Sequence, residues 1–164
     1  MEVKREIYFQ DELLPLLKKG IDKLSDAVKT TMGPKGKLVL IQKQGHPIVT
    51  KDGVTVATAV NLENEVENLG AQIIKEAASR TADQAGDGTT TATVLAQSIF
   101  NEGLKMKLAG FQPDLLCKGI YESLNVIKSF LEKNKKDIKS DSELYQVATI
   151  SANGESDIAK LIVS

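Results

Sequence analysis

Leu116, Ile120, Leu124, Ile127 and Leu131 follow one another at intervals of four, four, three and four residues. Only a helix of about 3.6 residues per turn gathers such positions on one side, so the spacing predicts a helix with a buried face, opened by Pro113 and Asp114. The same period recurs upstream. Leu13, Leu17, Ile21, Leu24 and Val28 predict a helix over about residues 11–31, with Pro15 near its first turn, and Gly33-Pro34-Lys35-Gly36 ends it. Val66, Leu69, Ile73, Ala77 and Arg80 predict a second over about 65–82, and Ala85-Gly86-Asp87-Gly88 interrupts it. Val94, Leu95, Ile99 and Leu104 predict a third, which starts at the threonines after Gly88 and runs towards Lys107. Tryptophan is absent and aromatic residues make up only 4% of the chain, which suits closely packed helices of small side chains.

Sheet is scarce. Residues 38–41 and 48–50 are short β-prone runs on either side of turn residues 43–47, predicting a hairpin that is left through Lys51-Asp52-Gly53. The charged stretch 132–139 then changes the composition sharply, and we read it as the end of one unit and the approach to another. The second unit is expected to hold a short helix near 141–147, a turn over 149–154 and a helix beginning at Glu155. Ile158, Leu161 and Ile162 are in place on that last helix, but no capping glycine precedes Ser164, so the element reads as cut. The expected fold class is mainly α with a small β-hairpin.

Lysine plus arginine, 21, nearly balance aspartate plus glutamate, 22, so bulk charge argues for neither nucleic acid nor an anionic membrane. No apolar run approaches the ~20 residues of a membrane span, and residues 1–10 lack the apolar centre of a secretory signal. A single cysteine forbids an internal disulfide and suits a reducing cytoplasm.

Gly86-Asp87-Gly88-Thr89-Thr90-Thr91 carries the most chemistry. Glycines let a backbone take positive φ and approach a ligand closely. A helix N-terminus behind them presents N–H groups and a positive dipole end, a seat for phosphate. Three hydroxyls add donors and cation ligands. A carboxylate beside bare phosphates is repelled, so Asp87 makes most sense holding a Mg²⁺ that bridges to them. The same residue types also suit plain helix capping, and spacing alone leaves both readings open. No Walker A pattern occurs.

Two further segments have the same character. Thr31-Met32-Gly33-Pro34-Lys35-Gly36 exposes backbone groups that could line a nucleotide, although a helix stop is the simpler reading of it alone. In Lys51-Asp52-Gly53, Asp52 could orient water or join a metal shell, although a tight hairpin exit is simpler. Each is a glycine-bearing loop at the edge of a helix or strand. They would form one phosphate–metal site if their elements pack side by side.

Thr31-Met32-Gly33-Pro34-Lys35-Gly36, Thr50-Lys51-Asp52-Gly53-Val54-Thr55-Val56-Ala57, the run 70–79 (GAQIIKEAAS), the run 85–97 (AGDGTTTATVLAQ) and Ile150-Ser151-Ala152-Asn153 together resemble the group I, bacterial-type chaperonins, in that order and over essentially the whole chain. The resemblance implies that 1–136 is the N-terminal half of a multihelical equatorial ATP-binding domain and 137–164 the first segment of an intermediate domain. It implies that Gly88, Thr89, Thr90 and Thr91 cradle the phosphates of ATP and that Asp87 ligates Mg²⁺. Thr31, Met32, Gly33 and Pro34 would lie along the nucleotide, and Thr31, Lys51 and Thr90 would help seat K⁺. Asp52 would sit by the attacking water as the catalytic carboxylate, with Ile150 and Ser151 near the site from the next domain. The partners implied are further copies of the subunit in heptameric rings, with non-native polypeptides and a co-chaperonin engaged through regions beyond this chain, in the cytoplasm, without nucleic acid or membrane.

The chain ends before the family's apical domain, its later hydrolytic aspartate and the second half of its equatorial domain. Weak ATP binding is therefore expected of these residues alone, and turnover by them is an open matter. The alternative reading is a truncated, non-catalytic chaperonin-like module acting in assembly or interaction, and a third is a nucleotide-binding domain of unrelated purpose. Outside these segments, His46 has no second ligand nearby, Cys117 is expected to be a buried inert thiol, and Lys133, Lys135, Lys136 and Lys139 form a solvated helix end.

Overall fold

The computed structural model describes residues 7–42, 45–152 and 154–164. The readings of residues 1–6, of 43 and 44 in the hairpin turn and of Asn153 lie outside them. Among the described residues the elements run α1 (Gln10–Lys29), β1 (Val39–Ile41), β2 (Ile48–Thr50), α2 (Gly53–Ala59), α3 (Glu65–Ala85), α4 (Thr89–Leu108), α5 (Pro113–Asn134), α6 (Asp141–Ser151) and α7 (Ser156–Val163). The architecture is mainly helical with one hairpin, as the periodicity predicts. β1 and β2 pair antiparallel, with Val39 opposite Thr50 and Ile41 opposite Ile48. The chain forms two compact units, residues 1–110 and 111–164.

The first unit is built on the crossing of α1 and α3. Gly20 of α1 lies so close to α3 that a Cβ there would overlap the Glu67 carbonyl and stand 2.9 Å from its Cα. Gly70 of α3 returns the relationship, since a Cβ on it would overlap the carbonyl of Leu17. Two backbones can approach this far only where both side chains are missing. Around the seam, Ile21, Leu24 and Val28 of α1 join Val56, Ala57, Ala71 and Ile74 in one buried cluster. Burial of each large aliphatic side chain contributes roughly 2 kcal/mol.

The close crossing also decides which face of α3 is buried. Val66, Gly70, Ala71, Ile74 and Ala78 turn inward, while Leu69 and Ile73, expected on the apolar stripe, are about half exposed. Small residues win at a short interhelical distance because a leucine has no room there. On α4 the inward positions are Thr93 and Gln97, and the predicted Leu95 and Ile99 lie outward. Here the contact with α1 is polar. Gln97 donates to Asp22 at 2.7 Å and to Asp26 at 3.3 Å, Asn101 donates to Asp22 at 3.1 Å, and Lys18 pairs with Asp22. Below the seam, Glu67 is buried between Lys19 at 2.7 Å and Lys23 at 2.6 Å.

Other boundaries differ in detail. Pro15 stands in the second turn of α1, which begins at Gln10. A short helix, α2, occupies 53–59, where the sequence predicts only the exit of the hairpin. In the second unit α6 runs on to Ser151, through the first half of the predicted turn. Ala148 and Ala159 are buried in that unit, whose α6 and α7 pack together. The predicted buried face of α5 is not buried: Ile120, Leu124, Ile127 and Leu131 are all exposed, and so is Cys117. The stripe is real, but periodicity says only that a helix has an apolar side, and nothing in the described residues covers this one.

Candidate functional site

The predicted loops of the first unit begin where its helices end. Thr30 and Thr31 close α1 with their hydroxyls, which donate to the Ala27 carbonyl at 2.7 Å and the Val28 carbonyl at 2.8 Å. Orphan carbonyls of the last turn are thereby satisfied without water. The chain then reverses: Gly33 takes φ 75°, the Gly36 amide donates to the Gly33 carbonyl at 2.9 Å, and the Lys37 amide donates to the Thr30 carbonyl at 2.7 Å. Gly36 is needed for closure, because a Cβ there would overlap the Thr31 carbonyl. Residues 30–37 thus form a stapled turn. Within it Thr31 is buried, while Met32, Gly33 and Pro34 face outward.

Asp52 is the N-cap of α2. Its Oδ2 accepts from the Thr55 amide at 2.8 Å and from the Thr55 hydroxyl at 2.6 Å, while its own amide donates to the Thr50 hydroxyl at 2.9 Å. An aspartate cap of this kind satisfies amides that the first turn leaves unpaired. An aspartate followed three residues later by a threonine, as at 52 and 55, is the sequence signal for such a cap, and it coincides with the Asp52-Gly53 exit of the hairpin. Lys51, one residue earlier, is exposed.

Gly86 and Gly88 both take positive φ, 73° and 81°. The first ends α3 as a left-handed cap and the second opens α4, so three residues suffice to reverse the chain between two packed helices. The N-cap of α4, Gly88, has no side chain with which to cap it. Its first-turn amides, from Thr89, Thr90 and Thr91, therefore keep the anion-seating character of a helix N-terminus, with no acidic residue inside the turn to oppose it. Asp87 sits just outside, exposed, with its Oδ1 accepting from the Gly88 amide at 2.6 Å.

Gly53 joins these segments. It is buried, and a Cβ on it would overlap the Thr90 hydroxyl and stand 3.3 Å from both Thr90 Cβ and a methyl of Val28. The N-terminus of α2 is thus wedged between the first turn of α4 and the last turn of α1, whose Val28 carbonyl holds the Thr31 hydroxyl. The three glycine-bearing loops share one end of the unit, as packing side by side requires. Ile150 and Ser151 belong to α6 of the second unit, and Ile150 is exposed there.

These residues fit the groups expected of them. Among the described residues no three metal-ligating side chains cluster. Mg²⁺ does not need such a cluster, since it is held by one or two carboxylates together with phosphate oxygens. Asp87 beside a glycine-led helix N-terminus offers that combination. A monovalent cation wants oxygens: the Thr90 hydroxyl abuts Gly53, two residues from Lys51, and Lys51, itself a cation, could contribute only its carbonyl. No helix among the described residues is long and apolar enough to cross a membrane.

A family model described as the TCP-1/cpn60 chaperonin family matches residues 24–164. A crystal structure of the chaperonin gp146 from the bacteriophage EL 2 (Pseudomonas aeruginosa), in presence of ATP-BeFx, superposes with a TM-score of 0.76 at 31% identity, over 93% of this chain and 27% of that one. A group III chaperonin in the open state gives a TM-score of 0.75 at 27% identity, over 92% of this chain and 30% of that one. The chain thus spans less than a third of the length of either.

Proposed function

The chain belongs to the TCP-1/cpn60 chaperonin family, and from that premise we propose that it forms the N-terminal part of the nucleotide site in a subunit of an ATP-dependent protein-folding chaperonin. Within the family the motifs at 31–36, 70–72 and 150–153 favour the group I, bacterial-type branch, working in the cytoplasm as homo-oligomeric, heptameric rings. Residues 1–136 act as the first half of the equatorial domain and 137–164 as the start of the intermediate domain.

The observation that carries this reading is the wedge of Gly53 between Thr90 and Val28. It draws the Thr31–Pro34 turn, the Asp52 cap and the Gly88–Thr91 helix start to one end of the unit. In this site the amides and hydroxyls of Thr89, Thr90 and Thr91, with the Gly88 backbone, bind the phosphates, and the stapled turn at Thr31–Pro34 orients the nucleotide. Asp87 holds Mg²⁺, which when bound neutralises phosphate charge. Thr31, Lys51 and Thr90 hold K⁺. The Oδ1 of Asp52, on the carboxylate that Thr55 fixes through Oδ2, accepts a hydrogen bond from the attacking water.

Calorimetric titration with ATP, with and without Mg²⁺ and K⁺, tests the reading on the protein at its native length. Binding that strengthens with both ions supports it. Absence of binding under all conditions removes it.

The uncovered apolar face of α5 favours a second reading, a chaperonin-like module whose role is assembly. Association with other chaperonin subunits in the absence of any nucleotide response would select it.

A further inference from the structure

We infer that Thr55 is a positioning residue for Asp52 in nucleotide hydrolysis, an inference that rests on the nucleotide-site reading above.

Any residue at position 55 supplies the backbone amide that donates to Asp52 Oδ2 at 2.8 Å. Only a hydroxyl-bearing residue supplies the second donor, at 2.6 Å. Both bonds fall on the same oxygen. Such bonds to a carboxylate are short and strong, and two of them fix the torsion of the side chain as well as its position. Oδ2 is thereby committed to the helix and Oδ1 is the oxygen left for the site. The backbone of the same residue is fixed separately, by its amide donating to the Thr50 hydroxyl at 2.9 Å. The next residue, Gly53, abuts the Thr90 hydroxyl at the start of α4.

Asp52 is therefore held at its backbone by Thr50 and at Oδ2 by two bonds from Thr55, of which the hydroxyl bond is the one that depends on the side chain at position 55. A carboxylate that must meet a water in line with a phosphorus atom gains from that constraint, because small errors of placement reduce rate steeply. Loss of the Thr55 hydroxyl removes orientation but leaves the amide cap, and hence the helix, in place.

The test compares Thr55→Val with Thr55→Ser in the protein at its native length, reading steady-state ATP turnover, ATP affinity and thermal midpoint. Valine keeps the shape and the amide. We expect kcat to fall roughly tenfold at unchanged ATP affinity and midpoint, with Thr55→Ser restoring the rate. An unchanged kcat in Thr55→Val overturns the inference alone. A fall in kcat matched by losses of affinity and midpoint assigns Thr55 a structural role and also overturns it. If the unsubstituted protein neither binds nor turns over ATP, the nucleotide-site reading fails and takes this inference with it.

Discussion

The hydroxyl of Thr90 occupies the space that a Cβ on Gly53 would need. Gly53→Ala should therefore destabilise the first unit by about 1–3 kcal/mol, the range for overpacking a filled site. Thr90→Ala in the same molecule removes the obstructing oxygen and should recover part of that loss. Urea unfolding of the two single variants and the double variant measures the coupling. Strictly additive effects would show that the two positions do not meet.

The seam between α1 and α3 makes a sharper forecast. Gly20→Ala and Gly70→Ala place a methyl against the backbone of the facing helix, and backbone cannot swing aside. Each should lose at least ~2 kcal/mol. Gly103→Ala in α4 serves as the contrast, since nothing stands within 4 Å of a Cβ there. That change should be neutral or stabilising by up to ~1 kcal/mol through helix propensity. Thermal unfolding of the three variants should separate them cleanly.

Asp87→Ala should weaken ATP binding by at least about tenfold in the presence of Mg²⁺ and have little effect when Mg²⁺ is chelated. Asp87 is exposed, so the thermal midpoint should stay put. Fluorescent-nucleotide titration with and without chelator reads the difference. Equal losses in both conditions would assign Asp87 to the loop's shape and not to a metal.

Acid should loosen the α1–α3 pair. Hydrogen bonds from Lys19 and then Lys23 hold the Glu67 carboxyl below the ordinary carboxylate range, against burial, which pushes it upward. Asp22 is lowered too: burial raises it, but Lys18, Gln97 and Asn101 together outweigh that. A lowered native value means the unfolded chain takes up its proton first as pH falls. The stabilisation is fully present above the unfolded value and drains away as pH drops through the native one. Urea midpoints should hold near neutral pH and decline below about pH 5. Glu67→Gln should be less stable at neutral pH and show a flatter acid limb.

Much of this fold can be read from the chain, and the misses share a cause. Periodicity located α1, α3, α4 and α5, and glycine placement located the reversal at Gly86–Gly88. Periodicity did not tell Leu69 from Ile74 as the inward residue of α3, because that choice depends on how near α1 comes. A pair of glycines 50 residues apart, Gly20 and Gly70, sets that distance. Likewise Gln97 and Asn101 look like surface residues until Asp22 is placed opposite them. At the site, the loops carrying Thr31, Asp52 and Asp87 were legible from glycine, hydroxyl and carboxylate content. The helix that begins at Gly53, and the partnership of Asp52 with Thr55, were not. A seven-residue helix has too few turns to show a period, and its cap reads equally well as the last residue of a hairpin.

That cap separates two properties usually entangled in a carboxylate. Since Oδ2 alone carries both bonds from Thr55, an amide oxygen at the same place could still accept both, more weakly than a carboxylate does, and asparagine caps helices as readily as aspartate. Asp52→Asn would thus keep the architecture of α2 while erasing a negative charge and a proton acceptor. At this position the bonds that hold the scaffold fall on one oxygen and leave the other outside them, so fold and charge can be varied separately.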